Sequence, residues 1–203
     1  MFVDVFKRPL AENDSYLIKL IKMDLDDRKL SNLIRHDEYL SLKFTKFLHM
    51  DTSKDGFERF NDRPSLRNLD KIIRLDGSIY TFTVNERNYM EYSTALEGIK
   101  WMLEKSSRRA TLRFLNSFDE YFISENLKTM DVSCLAYIQY MKDQASIIFR
   151  ASDIKHELLV DIITLYLFFI KPIYSEPINI EIFASTAQNC SYMGELIKKM
   201  EGL

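Results

Sequence analysis

The alternation of apolar and polar residues along the chain predicts several β-strands. Residues 16–23 (YLIKLIKM) alternate in this way, which is typical of a strand with one buried face. The same two-residue period recurs at 110–116, 133–141, 145–150 and 178–185. A polar turn separates the third and fourth of these five segments, so we expect these two strands to form an antiparallel hairpin.

Helical spacing of apolar residues predicts four helices, over residues 41–50, 96–105, 152–170 and 193–200. The second is amphipathic and closes at Ser106 and Ser107. The third is apolar nearly all round, with Ser152 as a candidate N-cap and Pro172 just after its end. The polar stretch 51–76 predicts loops around one short element. Strands mixed with helices, several of them linked as hairpins, favour the α+β class over a doubly wound parallel sheet.

Length, charge and cysteine content narrow the possible functions. The 203 residues fit a single domain spanning 1–203. A formal net charge of −2 excludes a generally basic nucleic-acid-binding surface but leaves a local basic site open. Two cysteines exclude a disulfide scaffold and a cysteine-rich zinc site, and the three histidines lack the spacing of metal ligands. The longest apolar run, 158–170, is too short to span a bilayer. We therefore expect a cytoplasmic protein without a nucleic-acid or membrane partner.

Five residues are candidates for chemistry from their type and position. Arg108 and Arg109 lie between a predicted helix and a strand, where paired guanidinium groups suit a phosphate, although a solvated charge pair is the alternative. Cys134 is either an inert core residue or a nucleophile, and a cation such as Arg150 across the predicted hairpin would favour its thiolate. Asp161 lies within an apolar helix, and a buried carboxylate there needs either a structural partner or a ligand.

These residues occur in an order that resembles thymidylate synthases and their relatives, the pyrimidine-nucleotide hydroxymethylases. The resemblance covers about residues 96–192 and rests on four strings: SSRRATLRFLN, DVSCLAYIQYM, SIIFRASDI and IEIFASTAQN. It is fainter at the N-terminal segments FKRPLAENDSYLIKL and KFTKFLHMDTS. It implies an α+β homodimer whose mixed sheets, packed with helices, face each other across the interface.

The resemblance also implies a reaction and a set of roles. Cys134 would attack C6 of a pyrimidine nucleotide, so that C5 captures a one-carbon unit from 5,10-methylenetetrahydrofolate. Arg150 would bind the nucleotide phosphate beside the cysteine. The phosphate-loop arginine would be Arg8, while Arg108 and Arg109 would reach the nucleotide of the neighbouring subunit. Two further positions match the ribose or folate side of the family's site: Asp153 and Gln188.

Asp161 falls where uracil-specific members of the family carry an asparagine, and the cytosine-specific hydroxymethylases resemble this chain in having aspartate. A carboxylate accepts a hydrogen bond from the exocyclic amino group of cytosine. Facing O4 of uracil, it would set acceptor against acceptor, which is costly when buried. The expected substrate is therefore a cytosine 5'-monophosphate, either CMP or dCMP.

Several positions depart from the family pattern. The catalytic glutamate falls on Lys43, which could donate protons only if burial lowered its pKa. One family tyrosine falls on Val84, with Tyr80 and Tyr89 as alternatives for its role, and the serine after the phosphate arginine is Ala151. The ribose-binding histidine and tyrosine fall on Gln188 and Cys190.

A hydroxymethylase of cytosine nucleotides is therefore the first hypothesis for the function. A non-catalytic nucleotide-binding homologue is the second, and a divergent thymidylate synthase is the third. A structural α+β domain without a nucleotide site is the remaining class, and it would make the arginines incidental surface charges.

Overall fold

In a computed structural model, the described residues are 2–5, 11–24, 27–38, 40, 72–73, 79–80, 83–84, 92–114 and 134–202. The strands are β1 (Phe2–Val5), β2 (Tyr16–Met23), β3 (Ile72–Ile73), β4 (Ile79–Tyr80), β5 (Thr83–Val84), β6 (Thr111–Arg113), β7 (Leu135–Tyr140), β8 (Gln144–Asp153) and β9 (Ile178–Gln188). The α-helices are α1 (Asp27–His36), α2 (Tyr92–Glu104), α3 (Leu158–Leu165) and α4 (Met193–Glu201). A π-helical segment, Tyr166–Ile170, continues α3, and a 3₁₀ turn, Cys190–Tyr192, precedes α4.

Seven of these strands form one mixed sheet in the order β1-β2-β9-β8-β7-β6-β5, and β3 and β4 pair separately. Neighbours in the large sheet are antiparallel except β8 and β9, which run parallel. The predicted α+β class is confirmed. The predicted hairpin is confirmed too, because β7 and β8 pair antiparallel around the turn at Met141–Asp143.

The period-two pattern gives the sheet a buried inner face and a more open outer face. Ile18, Leu20, Ile147, Phe149 and Ile182 are almost fully buried on the inner face. Residues between them in the sequence point to the opposite side, because successive side chains of a strand alternate. Burying each large aliphatic or aromatic side chain contributes roughly 1.5–3 kcal/mol, so the inner face drives the sheet to fold.

A helix in the protein interior connects the two parallel strands. All thirteen residues from Leu158 to Ile170 are buried, as expected for a helix that is apolar on every side. The backbone N–H of Lys171 donates to the carbonyl of Tyr166 at 2.8 Å, which is the i→i−5 bond of a π-helix. Phe169 meets Phe114, beside β6, edge to face with ring centroids 5.3 Å apart.

The end of α2 follows from its capping geometry. Ser106 has a left-handed backbone, with φ of 52°. The N–H of Ser107 donates to the carbonyl of Met102, and that of Ser106 to Leu103, both at 2.9 Å. This is the Schellman motif, and it confirms the predicted helix end at Ser106–Ser107.

The predicted start of the long helix is wrong. β8 continues through Ser152 to Asp153, and α3 begins at Leu158. Ser152 is therefore a buried strand residue rather than an N-cap. The strand continues because β9 offers it a parallel partner: Ser152 pairs with Ala187 and Asp153 with Gln188.

The other predicted element boundaries differ less from the observed ones. β6 is shorter than the predicted 110–116, whose last two residues lie outside the described part, and β9 runs three residues beyond the predicted 178–185. The last helix, α4, is confirmed. The predicted helix 41–50 and nearly all of the polar stretch 51–76 also lie outside the described residues.

We expect replacement of Phe169 by alanine to lower the free energy of unfolding by about 3–5 kcal/mol, because it removes a fully buried ring and its contact with Phe114. Urea denaturation of the purified protein measures this. Trp101→Ala is the matched control, since that ring is 60% exposed on α2 and its loss should cost within about 0.5 kcal/mol. Similar losses for both variants would contradict the interior position of the connecting helix.

Candidate functional site

Cys134 and Arg150 lie directly across from each other on neighbouring chain segments. The backbone N–H of Arg150 donates to the carbonyl oxygen of Cys134 at 2.7 Å. The next register pair along the hairpin, Leu135 and Phe149, is buried. Cys134 is half-buried and Arg150 is exposed. The expected juxtaposition of a thiol and a cation across the hairpin is confirmed at the level of the backbone.

Arg108 and Arg109 lie at the other end of the same strand. The side-chain amide of Gln139 donates to the carbonyl oxygen of Arg108 at 3.1 Å, and Tyr140 N–H donates to Ala110. Five residues separate Gln139 from Cys134, or roughly 17 Å along a strand. Both arginines are exposed. Of the predicted phosphate-binding arginines that the structure describes, Arg150 alone lies next to the cysteine in this chain.

Four apolar side chains form a continuous row across the outer face, here called the outer row. Leu17 pairs with Phe183, Phe183 with Ile148, and Ile148 with Tyr137, so the row crosses β2, β9, β8 and β7. Leu17, Ile148 and Phe183 are half-buried, and Tyr137 is exposed. The row crosses β7 between its Cys134 end and its Arg108 end.

A polar row lies beside the outer row on the same face. It follows the next set of register pairs and consists of Lys19, Glu181, Ser146 and Gln139. Lys19 and Glu181 form an ion pair at 3.0 Å. The outer face thus combines an apolar stripe with a polar border.

Asp161 is buried within α3, with only 6% of its surface exposed. Two hydroxyl groups that the sequence analysis missed belong to the same region: those of Tyr16 on β2 and Ser152 on β8. Burial raises the pKa of the Tyr16 phenol far above its usual range; the Ser152 hydroxyl partly offsets this, and the charge of Asp161 adds to it. We call Tyr16, Ser152 and Asp161 the inner polar cluster.

Asp153 ends β8 and caps the turn that leads into α3. Its Oδ1 accepts from the backbone N–H groups of Lys155 and His156 and from the amide of Asn189, at 2.9–3.1 Å. Its Oδ2 lies 3.0 Å from Nδ1 of His156. Partial burial opposes ionisation of this carboxyl, but the bonds from His156 and Asn189 outweigh it and lower its pKa.

The bonds of Asp153 use the acceptor positions of its carboxylate within the chain. Gln188, paired with Asp153 in register, is exposed, and its carbonyl accepts from Ile154 N–H at 3.1 Å. In this structure, Asp153 therefore has a capping role, and its predicted position toward a folate gains no support.

Cys190 is unsuited to nucleophilic chemistry. It is buried, and its thiol lies 3.2 Å from the carbonyl oxygen of Ala11. Burial and the carboxylates of Glu12 and Asp14 raise the pKa of this thiol, which disfavours the reactive thiolate. Cys134 thus stays the candidate nucleophile.

A pocket of about 340 Å³ lies between the turn after β8 and α4. Its cationic side chains interact within the chain. Lys155 lies over the ring of Tyr192, 4.6 Å from its centroid. Lys199 forms ion pairs with Asp37 at 2.8 Å and Glu195 at 3.1 Å. The pocket therefore has few charges left to recognise a ligand.

Two predicted site residues, Arg8 and Lys43, lie outside the described residues, and Val84 is described only through its backbone pairing with Leu112. Across the described ranges, no group of three or more histidine, cysteine or acidic side chains could hold a metal ion. In that same part of the chain, no helix has the length and apolarity to cross a bilayer. No protein-family model matches the chain, and no curated protein matches it.

The capping role of Asp153 predicts a pH-dependent contribution to stability. Because its pKa is lower in the folded protein than in the unfolded chain, the stabilisation is present at neutral pH and declines as the pH falls below about 4. We expect Asp153→Ala to cost about 1 kcal/mol at pH 7.

Urea denaturation of the wild type and the variant at pH 7 and pH 3 measures the effect, and the difference should shrink at pH 3. Asp143→Ala, which removes an exposed acid in the β7–β8 turn, is the control. A difference that is the same at both pH values would contradict the ionic nature of the cap.

Proposed function

We propose that this protein is a pyrimidine-nucleotide C5-modifying enzyme that hydroxymethylates a cytosine 5'-monophosphate, CMP or dCMP. The observation that carries the proposal is the position of Arg150 across from Cys134. Cys134 is half-buried, and a guanidinium group close to its thiol would favour the nucleophilic thiolate. The order of motifs along the chain, which resembles the thymidylate synthase superfamily, supplies the substrate class.

In the proposed first step, the thiolate of Cys134 forms a bond to C6 of the pyrimidine. The electron pair of the C5–C6 double bond moves to C5, which becomes a carbanion stabilised by the ring. The C5 carbanion can take a proton from solvent, and loss of the original C5 hydrogen followed by expulsion of the thiolate restores the ring. Arg150 would bind the phosphate and favour the thiolate through its positive charge.

The base assignment depends on Asp161. A buried carboxylate is a strong acceptor and suits the amino group of cytosine, whereas O4 of uracil would face it as a second acceptor. The one-carbon donor follows from the resemblance alone and is 5,10-methylenetetrahydrofolate. The Asp153 carboxylate forms its hydrogen bonds within the chain, so it does not support a contact with the folate.

A homodimer that shares arginines across its interface is part of the proposal. Arg108 and Arg109 lie at the opposite end of β7 from Cys134, and the outer row crosses the strand between them. A two-fold axis that runs parallel to the outer row, between two facing sheets, reverses the strand direction. It would therefore place the Cys134 end of β7 in one subunit against the Arg108 end of β7 in the other. The apolar row and its polar border also have the composition of a sheet-on-sheet contact.

One observation favours the second candidate function, a non-catalytic nucleotide-binding homologue. Cys190 stands at the position of the family's ribose-binding tyrosine, and its thiol is buried against the backbone of Ala11 and Ala187. Such a side chain cannot bind a sugar. A divergent thymidylate synthase is the third candidate, and uracil nucleotides test it directly.

The test of the first step is hydrogen exchange at C5 in D₂O, followed by proton NMR with CMP, dCMP, UMP and dUMP in parallel. We expect loss of the H5 signal with cytosine nucleotides only. Cys134→Ala should lower the rate of exchange by at least about 1,000-fold, because it removes the nucleophile, while nucleotide affinity changes little.

Cys190→Ala is the matched control and should retain exchange. Exchange by the Cys134→Ala variant would overturn the mechanism. Binding without any exchange would favour the non-catalytic homologue, and exchange with uracil nucleotides only would favour the thymidylate synthase.

Complementation between subunits tests the shared arginines. Cys134→Ala and the double variant Arg108→Ala/Arg109→Ala should each lose exchange, the second through weaker phosphate binding. After the two are unfolded and refolded together in equal amounts, about half of the dimers are mixed and each mixed dimer has one intact site, so about a quarter of the wild-type activity should return.

Phe183→Glu should abolish this recovery, because it introduces a charge into the outer row and opposes association. Sedimentation analysis reports the oligomeric state of each sample. Absence of recovery from mixtures that are demonstrably dimeric would contradict the sharing of arginines.

A further inference from the structure

The register of the two central strands places an exposed hydroxyl group beside Arg150. β8 and β9 keep one parallel register from Gln144 to Asp153, and in this register Ser185 lies opposite Arg150. Both residues are exposed. Side chains directly opposite each other in a sheet project from the same face, with Cβ atoms about 5 Å apart. A guanidinium group and a hydroxyl group can therefore reach the same small ligand.

The candidate nucleophile lies on the other side of Arg150. The carbonyl oxygen of Cys134 accepts from the Arg150 N–H at 2.7 Å, so Cys134, Arg150 and Ser185 occupy neighbouring positions on three adjacent chain segments. At the usual spacing between strands, the backbones of Cys134 and Ser185 are about 10 Å apart. In a nucleoside monophosphate, the ribose separates C6 of the base from the 5'-phosphate. A nucleotide with its base at Cys134 can therefore extend its phosphate toward Arg150 and Ser185.

The two residues next to this pair do not offer the same contact. Ala151 follows Arg150 on β8 and ends in a methyl group. Thr186 follows Ser185 on β9 and is exposed, but its hydroxyl donates to the carbonyl oxygen of Arg150 at 3.3 Å. Thr186 thus links the two strands, and the donor on β9 closest in register to the Arg150 side chain is the hydroxyl of Ser185.

A second exposed hydroxyl group continues this line of residues beside β2. The N–H of Asn13 donates to the carbonyl oxygen of Ala187 at 2.8 Å, which extends the antiparallel register of β2 and β9 beyond Tyr16. In that register, Ser15 lies opposite Ser185, and it is exposed. The line therefore presents a thiol, a guanidinium group and two hydroxyl groups in succession. None of its four positions carries a carboxylate, which would repel an anion.

We propose that Ser185 is a phosphate-binding residue: its hydroxyl donates a hydrogen bond to the 5'-phosphate that Arg150 binds. This inference rests on the proposed function and gives Ser185 a role that the sequence resemblance does not. A phosphate monoester has three terminal oxygens, and a guanidinium group binds at most two of them through its fork. A hydroxyl beside the guanidinium can donate to the third. The contact would favour a nucleoside monophosphate over the nucleoside without a phosphate.

The experiment measures the affinities for CMP and dCMP by calorimetric titration and that for inorganic phosphate by ³¹P NMR line broadening. We expect Ser185→Ala to weaken the binding of all three ligands about tenfold, the effect of losing one hydrogen bond to a charged group. Ser185→Thr retains a hydroxyl and should bind within about threefold of wild type. Ser185→Asp should bind at least about 100-fold more weakly, because its carboxylate would face the phosphate.

Ser146→Ala is the matched control and should leave all three affinities unchanged. Ser146 lies four residues before Arg150 on β8, or about 13 Å along the strand. The melting temperature of Ser185→Ala should match that of wild type, because the side chain is exposed. Weaker binding of nucleotides without weaker binding of inorganic phosphate, or no loss at all, would overturn the phosphate contact.

The H5 exchange assay keeps this inference separate from the proposed function. Unchanged affinities of Ser185→Ala, in a protein that catalyses H5 exchange, would overturn only the role of Ser185. Weaker phosphate binding by Ser185→Ala, in a protein that catalyses no exchange, would retain the phosphate contact and overturn the proposed reaction. A wild-type protein that binds neither the nucleotides nor inorganic phosphate would overturn both.

Discussion

The parallel pairing of β8 with β9 is the interaction on which the rest of the structure depends. It runs from Gln144 opposite Asn179 to Asp153 opposite Gln188 and forms the centre of the large sheet. Parallel neighbours need a long crossover between them. Here that crossover contains α3 and its π-helical continuation, which run through the core with every residue buried. Sheet and crossover therefore form one hydrophobic unit, and neither would bury its apolar surface without the other.

The positions of the candidate site residues depend on this unit of sheet and crossover helix. Three residues of interest lie at the end of β8: the exposed Arg150, the buried Ser152 and, at the turn, Asp153. The buried positions of β8 and β9 change phase together, from Phe149 and Ala184 to Ser152 and Ala187. The end of β8 thus has an exposed cation and a buried hydroxyl within three residues.

Local patterns predicted much of this fold. The strand Tyr16–Met23 and the β7–β8 hairpin follow from strict alternation, and the end of α2 follows from the serine pair after an amphipathic stretch. The hairpin register also accounts for the predicted proximity of Cys134 and Arg150. The start of α3 could not be predicted in this way. The alternation of buried residues in β8 changes phase after Phe149, which resembles the end of a strand, and only the pairing with β9 extends β8 to Asp153. The buried hydroxyl groups of Tyr16 and Ser152 could not be predicted for the same reason, because these two residues approach each other only through the tertiary fold.

The long-range pairing of β2 with β9 has a consequence for how the chain is made. β2 lies between β1 and β9, and the Glu12 carboxylate accepts from the N–H groups of Asn189 and Cys190 at 3.0 and 2.9 Å. While the ribosome is still synthesising the intervening residues, the apolar side of the early β1–β2 hairpin has no native strand to join. Pairing across such a separation is slow, and exposed strand edges promote aggregation. The nascent chain should therefore depend on chaperones until β9 emerges, and slower translation before that point would lengthen its exposure.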